Sequence, residues 1–338
     1  MIRRPAAPVA AALLPLLLFF QACDGQGSLP GREAYRTAEW AGRYYPQSRD
    51  ELAQEIERSL ALATRPAALE DGARATAMLV PHAAYDYTSA TLGKGFGALR
   101  FERFERVFIL GQSHAWERWQ PVGRFVGMAL PAEKGFALAT GTLDNDLATI
   151  ERLSRDTIFQ RRARAFDGET AIEPLLPFIQ ALWPEATIVP MLIGQLATVE
   201  ESLAVAKAIG AELDEKSLLV ISTTFTHFDG RAFPISPDKA RTLAALRAFE
   251  EPFIEAIARR DVLTPPIGDA MKRRLCGFKA LALGLAVLDA GRATEEGGTQ
   301  LQLLSEDWSL REAPEPLDPK RASGVSYRAI LFTQGRGR

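Results

Sequence analysis

The chain has 338 residues, a formal net charge of −2, and 47% hydrophobic and 24% charged residues. This is the composition of an ordinary globular protein, and the length allows one large α/β domain or two small ones. A general nucleic-acid binder would carry a basic excess, so the charge argues against that class. The sequence shows neither an internal repeat nor a long low-complexity tract.

The first residues have the pattern of an export signal. Arg3 and Arg4 precede an apolar run, Ala10–Phe20, that is too short to span a bilayer comfortably. A small residue, Ala22, and then Cys23 follow this run, as in a bacterial lipobox, where the cysteine is lipidated and becomes the first residue of the mature chain. An ordinary cleaved signal is the alternative.

We therefore predict a lipoprotein signal peptide over 1–22, a tether over 23–36 and one folded domain over 37–338. Lipidation of Cys23 would anchor the protein to a membrane of the bacterial cell envelope, facing the periplasm. Cys276 would then have no partner for an intramolecular disulfide, because the chain has two cysteines. Two roles stay open for it, a buried apolar residue or a thiolate metal ligand.

Strand-like and helix-like stretches alternate along the domain, which predicts a single three-layer α/β sandwich with a mostly parallel central sheet. In chain order we predict a helix opened by a capping box at Ser48–Glu51, a strand over 75–81, a helix over 89–99, a strand over 106–111, a β-hairpin within 122–140, a helix over 144–154, a helix over 169–183 that starts late or is kinked at its prolines, a strand over 188–193, a helix over 198–213, a strand over 218–222, a helix over 237–260, a helix from about 276 to 291, and a final strand over 327–332. The polar segment 292–323 is predicted to be a surface excursion.

The chain has three histidines, His82, His114 and His227, and each follows an apolar, strand-like run. In an α/β sheet, functional groups gather outside the carboxyl ends of the strands. Imidazole is the commonest protein metal ligand and the usual acid–base group near neutral pH. A hydrogen-bonded loop residue is the commoner role of a single such histidine, but the shared context of all three predicts one site.

Five segments resemble, in the same order, the MEMO family, which is protein B of the AmmeMemoRadiSam system. Pro81–Tyr87 is similar to the family's Pro-His-Ala-Gly-Tyr-x-Tyr, and Val107–His114 to its strand followed by Gly-Pro-Ser-His. Glu169–Phe178 is similar to Glu-His-Ser-Ile-Glu-x-x-Leu-Pro-Phe, and Thr223–Phe233 to Ser-Asp-Phe-x-His-Trp-Gly followed by Phe. Cys276–Gly277 falls where the family has Cys-Gly.

The resemblance implies a fold related to the class III extradiol (LigB-like) dioxygenases, which use non-haem iron. It also implies iron or copper bound by His82, His114 and Cys276, with His227 as a nearby group that acts as acid or base or contacts the substrate. Two imidazoles and a thiolate leave open positions for water, substrate or O₂. They suit iron, copper or zinc better than Mg²⁺ or Ca²⁺, which prefer oxygen ligands.

The sequence departs from the family pattern near these ligands. Thr170 stands where the family has His, and Thr224 stands where it has Asp. The departures put turnover in doubt more than metal binding, because each replaces an ionisable side chain near the ligands with a neutral hydroxyl. The predicted pocket residues are Tyr85, Glu169, Thr170, Glu173, Thr224 and Asp229.

Three functions follow from these observations: a metal-dependent oxidoreductase of the dioxygenase type, a non-catalytic module that binds a small molecule or a peptide, and a structural metal site. Family analogy adds a functional link to AMMECR1-like and radical SAM proteins. No P-loop, Gly-x-Gly-x-x-Gly or Gly-x-Ser-x-Gly motif is present, so nucleotide binding and serine hydrolysis lack a signal.

Overall fold

The computed structural model describes residues 34–114, 125–230, 233–291 and 299–335. The predicted signal peptide over 1–22 and the predicted lipidation site, Cys23, lie outside these ranges. Within them, no helix is both long and apolar enough to cross a membrane.

Strands and helices alternate along the chain as predicted. The strands are β1 (Tyr35–Thr37), β2 (Arg74–Val80), β3 (Arg106–Gln112), β4 (Met128–Leu130), β5 (Gly135–Leu138), β6 (Gly141–Asp144), β7 (Phe159–Arg161), β8 (Thr187–Ile193), β9 (Ser217–Ser222), β10 (His227–Asp229), β11 (Thr299–Trp308) and β12 (Ser323–Gln334). The helices are α1 (Arg49–Leu60), α2 (Ala67–Glu70), α3 (Tyr85–Gly97), α4 (Leu147–Leu153), α5 (Leu176–Leu182), α6 (Val199–Gly210), α7 (Lys239–Arg259), α8 (Ile267–Arg274) and α9 (Phe278–Ala290). β1 begins inside the range predicted to be a tether, so the folded domain includes residues before 37.

The centre of the molecule is a mostly parallel sheet. Its four middle strands lie side by side in the order β2-β9-β3-β8, and all of them run parallel. β12 continues the sheet beyond β2, and β4 continues it beyond β8, both in the antiparallel direction. A separate three-stranded sheet holds β1, β5 and β6.

Helices cover both faces of this sheet, which gives the predicted three layers. Side chains of a strand point alternately to its two faces, so Val107 and Ile109 of β3 enter one core and Phe108 and Leu110 enter the other. The first core also contains residues of α1, α3 and α5, and the second contains residues of α4 and α6 to α9. The predicted fold class is therefore confirmed.

The predicted hairpin within 122–140 is wrong. β4 pairs with β7 and β8 in the central sheet, whereas β5 pairs with β1 and β6 in the small sheet. An apolar run shows that a segment is a strand but does not say which strand it joins. Each of these two runs is buried, and each is paired in a different sheet.

The segment predicted as a surface excursion over 292–323 contains a ten-residue strand, β11. β11 pairs antiparallel with β12 along most of its length. Several of its side chains are exposed, so the strand keeps a polar composition while its backbone is hydrogen-bonded to β12. The prolines of this segment, Pro314, Pro316 and Pro319, follow β11 rather than interrupt it.

The helix predicted over 169–183 starts late, as its prolines indicated. α5 begins at Leu176 and is preceded by a short 3₁₀ turn, Glu173–Leu175. Proline lacks an N–H group and is therefore tolerated in the first turn of a helix. The irregular backbone ahead of α5 places Glu169 beside the end of β3, where it contacts His114.

Candidate metal centre

Three possible metal ligands come from three separate places in the fold. His82 lies two residues after β2, and His114 lies two residues after β3. These strands are both parallel neighbours of β9, so their carboxyl ends meet at one edge of the sheet. Cys276 lies between α8 and α9.

The structure brings these side chains together. One donor atom from each of His82, His114 and Cys276 lies within 4.8 Å of the other two. The two imidazole rings meet nearly edge to face, with 5.0 Å between their centroids. His114 Nε2 lies 2.9 Å from Cys276 Sγ. Both histidines are buried, and Cys276 is partly buried.

The orientation of the His82 ring is fixed by a serine at the end of β9. Ser222 Oγ donates to the carbonyl oxygen of Ala171 at 2.5 Å, and it therefore accepts from His82 Nδ1–H at 2.9 Å. His82 Nε2 then carries the lone pair. This atom is buried and has no hydrogen-bond partner among the described residues. Burial, and then the charges of His114 and His227, lower the pKa of His82 well below its usual value, so the ring is neutral.

His114 is held by a buried carboxylate. Its Nδ1–H donates to Glu169 Oε1 at 2.5 Å, and its backbone N–H donates to Glu169 Oε2 at 2.7 Å. The backbone N–H groups of Thr170 and Ala171 also donate to this carboxylate. These bonds direct His114 Nε2 toward Cys276, in the way that outer carboxylates orient metal-binding imidazoles.

The charges of Glu169 and His114 depend on each other. Burial raises the pKa of Glu169, but the hydrogen bond and the charge of His114 outweigh burial and hold this pKa below its usual value. Burial lowers the pKa of His114, but its hydrogen bonds to Cys276 and Glu169 outweigh burial and raise it to about 11. His114 Nε2 therefore holds a proton in the absence of an ion, and a bound metal cation would take the place of that proton.

Cys276 is positioned by the glycine that follows it. Gly277 has a φ of +99°, and a Cβ on it would lie 2.7 Å from Ser222 O and 2.9 Å from Thr223 Cα. Glycine alone fits this close approach to the end of β9 without strain. The Cys276 carbonyl accepts from Thr224 N and Thr223 Oγ1, at 2.9 and 2.8 Å. The thiol lies one residue before the N-cap of α9, at the edge of the sheet where His82 and His114 lie.

His227 lies next to this cluster and is not part of it. The residue is exposed, it begins β10, and its Nε2 lies 3.0 Å from Thr224 Oγ1. His227 and Cys276 line one cavity, of about 750 Å³. His227 also lines a second cavity, of about 550 Å³, together with Asp229 and Tyr87. The imidazole can therefore meet a ligand in either cavity.

Two predicted pocket residues have different roles in the structure. The Tyr85 ring packs in the core against Tyr45 and Phe178, and its hydroxyl donates to Pro174 O at 2.8 Å. The Glu173 carboxylate accepts from three groups of the N-terminal segment: Glu39 N, Trp40 N and Tyr45 Oη. Both residues hold the fold together, because buried polar groups in a core need such partners.

Ser222 is the orienting residue that the sequence interpretation did not assign. It is the last residue of a buried strand, and its hydroxyl connects His82 to Ala171. The sequence could have indicated this role, because Ser222 ends a strand at the same sheet edge as the histidines. Of the other predicted residues, Thr170 contacts Glu169 through its backbone, and Thr224 contacts His227 through its side chain.

Comparison with known proteins identifies the family. The family described as "Memo-like protein" matches residues 36–309, so the chain belongs to the Memo-like family. A MEMO1 family protein of Thermotoga maritima is 28% identical over 251 residues, which cover 72% of this chain and 84% of that protein. A memo-1 homolog of Caenorhabditis elegans is 30% identical over 211 residues, which cover 61% and 56% of the two chains. A crystal structure of an uncharacterized Escherichia coli K12 protein superposes with a TM-score of 0.41 at 14% identity, over 75% of this chain and 99% of that one.

Proposed function

We propose that this protein binds one transition-metal ion between His82 Nε2, His114 Nε2 and Cys276 Sγ. The observation that carries the proposal is the buried Nε2 of His82, an acceptor without a hydrogen-bond partner among the described residues, on a side chain that clusters with His114 and Cys276. A buried polar atom left without a partner costs about 1–3 kcal/mol. A bound cation would remove that cost.

The donor set favours iron or copper, with zinc as a third choice. Imidazole suits all three metals, and a thiolate excludes the hard cations Mg²⁺ and Ca²⁺. The described cluster has three protein donors, and sites with three protein ligands keep a position open for a ligand. When bound, such an ion supplies Lewis-acid or redox chemistry at that position.

We propose an oxidoreductase of the dioxygenase type, in which the residues of this chain have separate roles. His82, His114 and Cys276 hold the ion, and Ser222 and Glu169 orient the two imidazoles. His227 gives or takes a proton at a ligand in the cavity that it shares with Cys276. Imidazole is the usual acid–base group of proteins, and an exposed one can reach a ligand in the cavity.

The test is anaerobic loading of the purified protein with Fe(II), Cu(I) or Zn(II), followed by elemental analysis and measurement of O₂ uptake. We expect one ion per chain, and loss of that ion in the His82→Ala, His114→Ala double variant. His227→Ala is the matched control, because it removes an imidazole outside the cluster and should keep the ion. Equal metal content in the double variant and the control would reject the site.

One observation favours a second function, a ligand-binding module without catalysis. Thr224, where the family pattern has Asp, gives His227 a hydroxyl neighbour at 3.0 Å instead of a carboxylate. A hydroxyl does not stabilise a protonated imidazole as a carboxylate does, so proton transfer through His227 would be weaker. Retained metal and ligand binding without O₂ consumption would select this function. Thr224→Asp should then raise any residual turnover.

We also propose that Cys23 carries a lipid anchor, on the support of the sequence pattern that precedes it. The test is expression in a bacterium that is fed a fatty acid carrying a clickable alkyne. The label should enter the wild-type chain and be absent from Cys23→Ser. Equal labelling of the two chains would reject the anchor.

A further inference from the structure

The larger cavity is a groove that extends from the candidate metal centre over the surface between α6, α8 and α9. Cys276 and His227 lie among its lining residues. Its volume of about 750 Å³ is within the usual range of small-molecule sites, roughly 300–1,000 Å³. The groove therefore has room for a ligand much larger than water or O₂.

One part of the groove wall is apolar and open to solvent. Val199, Leu203 and Leu263 line it and are 62%, 57% and 64% exposed. Leu196, Ala282 and Ala286 also line it, and these three pack against the core beneath. Large exposed aliphatic side chains gathered around one concave surface indicate a binding site, whereas the same residues scattered singly would not.

Basic side chains line the same groove close to Cys276. Lys272, Arg273 and Arg274 come from the last turn of α8, and Lys279 comes from the first turn of α9. Asp269 is the acidic residue among the described lining residues. Partial desolvation, and then the nearby charge of Lys272, lower the pKa of Lys279. Lys279 Nζ donates to Gly194 O at 3.0 Å and has two further N–H donors, so an anion beside it would both accept from it and offset the charge of Lys272.

We propose that this groove binds a single-chain fatty carboxylate, with the carboxylate beside Lys272 and Lys279 and the hydrocarbon chain along Val199, Leu203 and Leu263. Charge complementarity sets the direction of the ligand, since the basic residues lie next to Cys276 and the aliphatic ones lie on α6 and before α8. The ligand head then lies beside the metal centre. Its role as a substrate rests on the proposed function, but its binding does not.

The test is calorimetric titration of metal-free and zinc-loaded protein with octanoate, decanoate and dodecanoate below their micelle concentrations. Each added methylene pair should tighten binding by roughly tenfold, because each buried methylene contributes roughly a three- to fourfold change. Decanol and decylammonium should bind more weakly than decanoate. The chain-length series should be the same in both forms of the protein, because the aliphatic contacts do not involve the ion.

Variants separate the two parts of the groove. Leu203→Asp should weaken decanoate binding by about tenfold or more, since it places a charge against the hydrocarbon chain. Leu62→Asp, at another exposed leucine, is its matched control.

Lys279→Gln should weaken carboxylate binding by roughly two- to fivefold and leave decanol binding unchanged. Lys320→Gln, at an exposed lysine on the β11–β12 connection, is the control for that change.

The following outcomes would overturn the proposal. They are no binding of any carboxylate, equal binding of decanoate and decylammonium, equal binding by Leu203→Asp and Leu62→Asp, and a dimer in sedimentation that Leu203→Asp dissociates. Binding to anionic phospholipid vesicles without binding to decanoate would also reject it. Loss of metal binding with an intact chain-length series would reject the proposed function alone.

Discussion

At the scale of single residues, the site depends on hydrogen bonds that select one ring nitrogen of each histidine. Ser222 accepts from His82 Nδ1, and Glu169 accepts from His114 Nδ1, so both Nε2 atoms are directed into the cluster. Such outer contacts fix the tautomer and orientation of an imidazole before any ion arrives. A neutral hydroxyl, that of Ser222, orients His82, and a buried carboxylate, that of Glu169, orients His114.

We predict that Ser222→Ala weakens metal binding by about 10–100-fold, because His82 loses the acceptor that fixes its tautomer. The fold should remain, since alanine fits the space of serine. Competition with a chromophoric chelator gives the affinity. Ser305→Ala, which changes a buried serine on β11, is the control and should have no effect. Equal affinities in all three proteins would contradict the role of Ser222.

At the scale of elements, the short connection between α8 and α9 controls where the thiol lies. Gly277 is in a left-handed conformation and touches the end of β9, while Thr223 and Thr224 bind the Cys276 carbonyl. The cysteine is thus attached to the same strand end as Ser222. A movement of this connection would separate the thiol from both imidazoles.

Gly277→Ala should therefore lower the free energy of unfolding by about 1–3 kcal/mol and also reduce metal affinity. Gly291→Ala at the other end of α9 is the control. Its φ is −72°, and the nearest atom to an added Cβ is 3.6 Å away. Urea unfolding and chelator competition give the two quantities. A Gly277 variant as stable as the Gly291 variant, and with the same metal affinity, would show that the close approach is unimportant.

A second element-scale feature is a buried ion pair beneath the segment that carries His227. Glu250 of α7 and Arg328 of β12 are 1% and 2% exposed, with 2.5 Å between Oε2 and the guanidinium. The other oxygen of Glu250 accepts from Ser326 Oγ and from Thr226 N. The pair thus connects α7, β12 and the residue that precedes His227.

We expect Glu250→Ala to cost about 3–5 kcal/mol of unfolding free energy, because it leaves the Arg328 charge buried without its main partner. Glu255→Ala removes an exposed pair on the same helix, with Arg259, and should cost about 1 kcal/mol or less. Urea denaturation compares the two variants. Similar costs for both changes would mean that water or other groups compensate Arg328.

At the scale of the whole molecule, the sequence predicted the sheet core and the site edge well. Buried parallel strands read as continuous apolar runs, and the histidines after two of them had to meet at one edge. The sequence did not predict which strands pair with each other. β4 and β5 are near in sequence yet join different sheets, and β11 is too polar to be recognised without its partner β12.

The role of Cys276 and of the acidic residues could not be settled from the residue pattern either. The residue pattern fitted Cys276 equally well as a buried apolar residue and as a metal ligand. The position of Cys276 depends on a tertiary contact between Gly277 and the end of β9, which the pattern does not show. Glu169 and Glu173 are four residues apart on one short segment. One binds His114, and the other binds the N-terminal segment, because the irregular backbone ahead of α5 directs them apart.

X-ray absorption at the K-edge of zinc in the loaded protein would show whether His82, His114 and Cys276 bind the same ion. We expect one sulfur neighbour at about 2.3 Å and nitrogen neighbours at about 2.0–2.1 Å. The sulfur contribution should disappear in Cys276→Ser. A spectrum of the wild-type protein that contains oxygen and nitrogen neighbours without sulfur would contradict a shared His82, His114 and Cys276 site.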